Sequence, residues 1–355
     1  MNIGIFNPYL DSLTGGEKYI LTLAYCLVQE LHNVTIFWDD NSILDRAEDK
    51  FGLDLSGVLI SENIFSIKIS IWKRLLESKK YDAIIILSDG SIPLVLSKLF
   101  VHFQFPVEWV NGRSLKNRIK MSRVTQVFCN SKFTKNYIDN NFGIISELLY
   151  PPIENKVKNL PKENIILTVG RFGITNEGTN YKKHDVLIKS FKKMVGKKIK
   201  NWNFILVVSL REEDAERFKK LQSLAEGFPI EFIINPSSQI LWEWYSRSKI
   251  YWHASGFGED LENHPENAEH FGMSTVEAMS AGAIPVVINA GGQREIIDSD
   301  KNGYLWNTID ELITFTKQLM NSEDTMKKLS VSAQKKALNF NAQKFKSKAL
   351  SMIHI

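Results

Sequence analysis

Two carboxylates eight residues apart, Glu269 and Glu277, are the side chains of this chain with the clearest capacity for chemistry. The segment between them predicts the start of a helix, formed by Gly272, Met273, Ser274 and Thr275. Backbone N–H groups at a helix start lack intrahelical acceptors, and the helix dipole favours an anion such as a phosphate there. Carboxylates beside an anion site can accept hydrogen bonds from sugar and ribose hydroxyls. The pattern therefore predicts a nucleotide-sugar site.

The sequence after this helix makes the pattern more specific. A glycine and an apolar run at 283–288 predict a helix end and a buried strand, and Gly291-Gly292 and Glu295 follow. The whole string resembles the Glu-x7-Glu signature of retaining glycosyltransferases of the GT-B fold, family 4 type. A bare Glu-x7-Glu would also fit a helix with two solvated acids. The resemblance implies that Glu269 contacts the donor sugar, that Glu277 holds the nucleotide ribose, and that residues 272–275 bind the donor.

A basic pair precedes these acids. Arg171 lies at the end of a predicted strand, and Lys182 opens the following predicted helix. An arginine fork and a mobile lysine both suit a leaving diphosphate, whose negative charge grows as the glycosidic bond breaks. The pair resembles the family's Gly-Arg…Lys arrangement, which implies this role for Arg171 and Lys182. Lys183 stands where the family often has Gly or Asn, and the choice between the two lysines stays open, as does a merely structural arginine beside surface lysines.

The N-terminal half carries a second group of candidates. Gly15 and Gly16 lie between the first predicted strand and the first predicted helix, where a glycine backbone can approach a ligand closely. A plain turn is the alternative, and the spacing is not that of a dinucleotide fingerprint. The pair resembles the family's N-domain glycine loop. His102 ends another predicted strand and is either a core histidine or, as the resemblance implies, a residue facing the donor sugar.

Alternating strand and helix patterns supply the framework that must position these residues. Short apolar strands separated by helices predict an α/β fold with parallel sheets covered on both faces. We expect an N-terminal domain at 1–150, a second domain at 151–340 after Tyr150-Pro151-Pro152, and a C-terminal helix at 341–355 that packs back on the first. The resemblance implies the GT-B plan, two Rossmann-like domains facing across a cleft, with ligands at the carboxyl ends of the strands.

Composition excludes several other classes of protein. The chain has 355 residues, 44% of them hydrophobic, and a net charge of +4, with only Cys26 and Cys129 as thiols. No disulfide framework, signal peptide or apolar run long enough to span a membrane is evident, so we expect a cytoplasmic protein. No Asp-x-Asp motif lies where it would hold a metal against the diphosphate. We therefore predict no metal site and no cofactor apart from the nucleotide-sugar substrate.

Basic residues are concentrated at 107–140, which holds seven basic and two acidic residues. They form either an ordinary solvated helix face, with a soluble acceptor, or a contact with an anionic membrane that presents a lipid-linked acceptor. No nucleic-acid motif accompanies them, so nucleic acid is not an expected partner.

These observations predict a retaining glycosyltransferase that moves a hexose from GDP-mannose or a UDP-hexose to a glycan, a lipid-linked or a small-molecule acceptor. The resemblance leaves the sugar, the base and the acceptor open. A phosphorylase-type enzyme on the same fold is a close alternative. A catalytically inactive subunit that binds a sugar nucleotide and an epimerase on the same fold are the others.

Overall fold

Two units make up the chain in the computed structural model, which describes residues 1–173, 180–195 and 201–353. The first comprises Met1–Pro152 and Ala342–Ile355, and the second comprises Ile153–Asn341. Each contains one parallel β-sheet with helices on its faces. The predicted α/β class with two successive parallel sheets is confirmed.

The sheet of the first unit has seven strands in the order β3-β2-β1-β4-β5-β6-β7. Its central strands are continuous apolar runs, and all five residues of β4 are buried. This is expected for a parallel strand covered on both sides. The strands are β1 (Asn2–Phe6), β2 (Asn33–Phe37), β3 (Val58–Ser61), β4 (Ala83–Leu87), β5 (Lys98–Phe103), β6 (Gln126–Cys129) and β7 (Glu147–Leu148).

Helices cover both faces of this sheet. On one face α1 (Gly15–Gln29) and α2 (Ile43–Phe51) pack into a core with Ile3, Ile5 and Phe100. On the other face, α4 (Leu115–Met121) and α5 (Lys132–Phe142) contribute Met121 and Phe142 to a second core. The helix α3 (Ile71–Ser78) lies on this same face, because its Arg74 guanidinium stacks on Phe65, which packs against the second core.

The sheet of the second unit has six strands in the order β10-β9-β8-β11-β12-β13. They are β8 (Glu163–Arg171), β9 (Asn203–Ser209), β10 (Ile230–Ile234), β11 (Ser248–His253), β12 (Ile284–Ile288) and β13 (Tyr304–Trp306). The order reverses between β8 and β11, which are hydrogen-bonded neighbours. The carboxyl ends at such a reversal leave a crevice where ligands bind in open α/β sheets.

The helices of the second unit complete the alternation. They are α6 (His184–Val195), α7 (Ala215–Ala225), α8 (Ser238–Arg247), α9 (Met273–Ser280), α10 (Gln293–Ile296), α11 (Ile309–Met320) and α12 (Glu323–Ala337). The last helix, α13 (Ala342–Ile353), belongs to the first unit, where Phe345 packs edge-on to Tyr19 at 5.1 Å and Lys346 pairs with Glu30.

Local boundaries differ from the sequence patterns in two informative places. The first helix begins at Gly15, earlier than its apolar periodicity at 19–31 predicts, because Thr14 and Glu17 form a capping box. The two glycines therefore form the first turn of α1 rather than a loop before it. The strand β3 was not predicted, since it is short, lies at the sheet edge and buries only Val58.

Candidate functional site

The Glu269 carboxylate lies between two nitrogen-bearing side chains at the β8–β11 reversal. Its Oε2 is 2.5 Å from Lys182 Nζ and 2.9 Å from His253 Nε2. His253 is the last residue of β11, and Lys182 lies just before α6. The cluster therefore joins three segments that are far apart in the sequence, and it lies at the carboxyl edge where a ligand is expected.

Lys182 reaches this position because residue 170 is a glycine. A Cβ at Gly170 would lie 2.9 Å from Lys182 Cγ, closer than real Cβ contacts come. The lysine side chain therefore crosses directly over the end of β8 toward Glu269. This close approach gives a physical reason for the Gly170-Arg171 pair that the sequence analysis singled out.

Charge and hydrogen bonding, rather than solvent, keep Glu269 ionised. Burial by itself would raise the pKa of this carboxyl, but the Lys182 ammonium and the hydrogen bond from His253 hold it well below the ordinary value. Burial lowers the pKa of His253, although Glu269 opposes that shift. A neutral His253 therefore donates its Nε2–H to the ionised carboxylate. A carboxylate in this state orients hydroxyl groups well and is a weak base.

The glycine turn after β12 fixes the backbone of Glu269. The Gly292 N–H donates to Glu269 O at 2.7 Å, and a Cβ on Gly292 would collide with the Phe271 backbone. The Gly291-Gly292 pair thus has a structural role, since larger residues would push the turn away from the segment that carries Glu269.

The predicted anion-binding segment forms the start of α9. Gly272 is its N-cap with φ of 114°, and Met273 and Ser274 are partly exposed. Thr275 is buried, and its Oγ1 accepts a hydrogen bond from Gln293 Nε2 at 3.0 Å. Met273 and Ser274 are thus the residues of this segment that a ligand can reach.

Two buried tyrosines, Tyr245 of α8 and Tyr251 of β11, hold α9 in place. Tyr245 Oη donates to Glu277 Oε2 at 2.9 Å, and Tyr251 Oη donates to Ser274 Oγ at 2.7 Å. Both tyrosines are fully buried. Burial raises the pKa of Tyr245 well above its ordinary value, so its hydroxyl keeps its proton and donates a hydrogen bond to Glu277 Oε2.

The two adjacent lysines have different partners. Lys183 pairs with Glu259, and both side chains are about nine-tenths buried. The Lys183 backbone has φ of 52°, a left-handed conformation that Gly and Asn adopt at lower energetic cost than Lys. This conformation agrees with the Gly or Asn that the family often has at this position. Lys182 is the more exposed of the two and is the lysine that contacts Glu269.

Arg171 contacts an aromatic ring. It is exposed at the end of β8, and its guanidinium carbon lies 5.8 Å from the centre of the Tyr181 ring. The segment between them, 174–179, lies outside the described residues. The structure thus places Arg171 and Lys182 on adjoining segments, and brings only Lys182 to Glu269 among the predicted site residues.

In the first unit, Glu17 organises the glycine-bearing turn. Its buried carboxylate accepts hydrogen bonds from Ser12 Oγ, Thr14 N and Thr14 Oγ1 at 2.6–2.8 Å. Gln104 Nε2 donates to Gly16 O at 3.0 Å, and a Cβ on Gly16 would collide with the Gln104 amide. Gly15 and Gly16 therefore lie beside Gln104, which the sequence analysis did not select.

The structure places His102, for which the sequence left both a core position and a role facing the sugar open, inside the first unit. The side chain is fully buried between the rings of Tyr19 and Phe128, at centroid distances of 4.4 and 4.5 Å. Its Nδ1 lies 3.1 Å from Phe128 O, and burial lowers its pKa to about 3. His102 is a neutral core residue, and Gln104, two residues later, is the polar side chain that leaves the strand next to Gly16.

Several site residues lacked a decisive sequence signal. They are His253, Tyr245, Tyr251 and Gln293, none of which belongs to a local motif. Position at a strand end was the available signal for His253. Among the described residues, no group of three or more His, Cys, Asp or Glu side chains is arranged to hold a metal ion.

The Glu269 cluster predicts a specific pH dependence of stability. Because the folded-state pKa is depressed, the paired carboxylate contributes stability above the unfolded-state pKa, about 4.3, and this contribution is lost as pH falls toward the lower folded value. We expect Glu269→Gln to lower the urea midpoint of unfolding at pH 6. The difference between the midpoints of variant and wild type should narrow below about pH 4.3.

The exposed Glu212, changed to Gln, is the matched control and should show no such narrowing. A difference between wild type and Glu269→Gln that stays constant from neutral pH to the acid range would contradict the assignment of a paired, ionised Glu269.

Comparison with known proteins identifies the family to which the sequence of the second unit is similar. Residues 151–336 match the sequence model of the family "Glycosyl transferases group 1". A GDP-Man:Man(3)GlcNAc(2)-PP-Dol alpha-1,2-mannosyltransferase of Dictyostelium discoideum is 25% identical over 251 residues, covering 64% of this chain and 46% of the relative. The Homo sapiens protein of the same name is 26% identical, with 64% and 48% covered. The chain thus spans about half the length of these relatives.

Among solved structures, Anabaena Alr3699/HepE in complex with UDP matches with a TM-score of 0.76 at 15% identity, covering all of both chains. This likeness concerns the fold, which is the GT-B fold of two Rossmann-like α/β domains. The family match covers more than half of the 355 residues and includes the whole Lys182–Glu269–His253 cluster. The chain belongs to the glycosyl transferases group 1 family.

Proposed function

We propose that the chain is a retaining, metal-independent glycosyltransferase that moves mannose from GDP-mannose to a lipid-linked glycan. The donor and acceptor are suggested by the printed names of the mannosyltransferase relatives. The observation that carries the proposal is the Lys182–Glu269–His253 cluster beside the start of α9. It combines a cation and a helix start for a diphosphate with an ionised carboxylate for a sugar.

Lys182 supplies the charge for the leaving group. An ammonium has three N–H donors, so Lys182 can keep its bond to Glu269 while donating another to a phosphate oxygen. The amide groups at Met273 and Ser274 and the exposed Arg171 guanidinium add positive potential at the same edge. These groups stabilise the charge that develops on the departing diphosphate, which is the role a metal ion plays in other transferases.

The state of Glu269 favours orientation of the sugar over covalent attack. A carboxylate held at low pKa by two partners is a poor base and a poor nucleophile. We therefore assign it to the sugar hydroxyls and propose front-face transfer, in which the leaving phosphate takes the proton of the acceptor hydroxyl. Retention follows because the acceptor attacks from the side that the phosphate leaves.

Glu277 is assigned to the ribose. Its Oε2 already accepts from Tyr245, and a carboxylate has about four acceptor positions in total. Ribose hydroxyls can therefore be added without breaking the tyrosine bond, which fixes the direction of the carboxylate.

Incubation of the purified protein with donor and acceptor tests the function. We expect mannosyl transfer from GDP-mannose to a lipid-linked oligosaccharide, with retained anomeric configuration and with activity unchanged by EDTA. UDP-hexoses serve as competing donors. Complete loss with EDTA and recovery with Mg²⁺ would overturn metal independence, epimerised nucleotide-sugar would indicate the epimerase, and donor binding without any turnover would indicate the binding subunit.

Substitution of Lys182 and substitution of Lys183 should have different effects on GDP affinity and on stability. We expect Lys182→Met to weaken GDP binding about tenfold or more, since a hydrogen bond to a charged group contributes about 1.5–3 kcal/mol, while guanosine binding stays unchanged. Lys183→Met should leave GDP affinity nearly intact and lower the melting temperature, because removing the partner of buried Glu259 costs about 3–5 kcal/mol. Calorimetry and thermal melting measure both. The reverse pattern would move the phosphate contact to Lys183.

The ribose assignment can be tested by pairing a substitution with a modified nucleotide. Glu277→Gln should weaken GDP binding about tenfold, because a neutral amide is a weaker acceptor than a carboxylate. The wild type should distinguish GDP from 2′-deoxy-GDP, whereas the variant should bind both with nearly the same affinity. If both proteins discriminate equally between the two nucleotides, Glu277 does not contact the ribose.

A further inference from the structure

Two helices of the first unit expose large apolar side chains on their outward sides. On α3 these are Trp72 and Leu76, which are 78% and 68% exposed, and on α4 they are Leu115 and Ile119, 74% and 58% exposed. Each pair is spaced i, i+4, so its members are neighbours on one side of a helix. Single exposed apolar residues are ordinary, but paired ones on two helices are not.

Both helices belong to the same layer of the first unit. Met121 of α4 is buried in the core that also contains Ile84 and Val101, and Arg74 of α3 stacks on Phe65 at the edge of that core. The buried sides of the two helices therefore pack on the same face of the sheet. Their exposed sides point away from the sheet, toward solvent.

Cations flank the apolar stripe of α4. On a helical projection, Lys116 and Lys120 lie on one side of Leu115 and Ile119, and Arg118 lies on the other. The helix contains no acidic residue. The helix spans Leu115–Met121, so three of the seven basic residues at 107–140 lie on it. Arg113 lies outside the helix and donates to Asn140 O at 3.0 Å, so it has a structural partner.

We propose that these residues, which we call the α3–α4 surface, dock the protein on an anionic lipid bilayer. The surface comprises Trp72, Leu76, Leu115, Ile119, Lys116, Arg118 and Lys120. Charge complementarity identifies the occupant: basic side chains are attracted to anionic headgroups, and tryptophan and aliphatic side chains between them enter the interface below. Aliphatic stems of lysine and arginine keep their charges at headgroup level.

The inference goes beyond the proposed transfer reaction, since it needs no sugar donor. Co-sedimentation with phosphatidylcholine vesicles, with and without phosphatidylglycerol, measures it directly. We expect the wild-type protein to bind the anionic vesicles, to bind them less at high salt, and to ignore the neutral ones. Replacement of Lys116, Arg118 and Lys120 by Gln should weaken binding about a hundredfold, because each charge contributes roughly fivefold near the surface.

Two matched controls separate this surface from general charge and hydrophobicity. Replacing Lys301, Lys327 and Lys328 of the second unit by Gln removes the same number of charges from other exposed positions. Leu31→Ser removes an apolar side chain that is 93% exposed just after α1, which packs on the opposite face of the sheet. Both should bind vesicles as the wild type does, whereas Leu115→Ser/Ile119→Ser should lose the part of binding that resists salt.

Fluorescence provides a readout that does not depend on multiple substitution. Brominated lipids should quench part of the tryptophan emission of the wild-type protein, and Trp72→Phe should remove a large share of that quenching. Absence of wild-type binding to anionic vesicles would overturn the proposal and leave a protein partner as the occupant. Equal binding by the Gln variant and the wild type would overturn the α3–α4 surface as the docking site.

Discussion

The site in the second unit depends on keeping one partly buried carboxylate ionised. Removing a charge from water is costly unless charge and hydrogen bonds replace the lost hydration, and Glu269 obtains both from Lys182 and His253. The partners can meet there because the strand order reverses between β8 and β11, which places the two strand ends side by side. The glycines at 170 and 292 then allow side chain and backbone to approach without collision. Sheet order, glycine placement and charge pairing are therefore parts of one arrangement.

Neighbouring lysines show how position decides the role of a side chain. Lys183 is buried in a left-handed backbone conformation and is committed to Glu259, so it ties the acidic segment after β11 to the start of α6. Lys182 is more exposed and shares its Glu269 with His253, so its remaining donors can serve a ligand. The structural role of Lys183 positions the segment that leads to Glu269, and the contact with the phosphate is therefore proposed for Lys182.

The sequence predicts the parts of the structure in which local pattern and tertiary environment agree. The strands β4 and β12 are uninterrupted apolar runs and are buried throughout, so their type follows from composition alone. The edge strand β3 buries too little to be recognised. In the site, Glu269 and Glu277 were selected as a local pair, but the bond from Lys182 to Glu269 joins residues 87 positions apart, and no local pattern specifies it. The sequence could not decide the environment of His102, because a histidine at a strand end has the same local pattern whether the strand carries it to the surface or encloses it between Tyr19 and Phe128.

Opposite physical requirements separate the proposed donor site from the proposed docking surface. The residues of the proposed donor site must be partly shielded from water, because hydrogen bonds and ion pairs orient a ligand most strongly where solvent does not compete. The α3–α4 surface must remain exposed, and its affinity for a membrane would come from summed charge and apolar area rather than from any fixed geometry. A shielded site needs defined partners at each position, which explains why its residues follow a recognisable motif. An exposed surface can be assembled from many combinations of basic and apolar residues, so it is found from the exposure of side chains in the structure rather than from a sequence pattern.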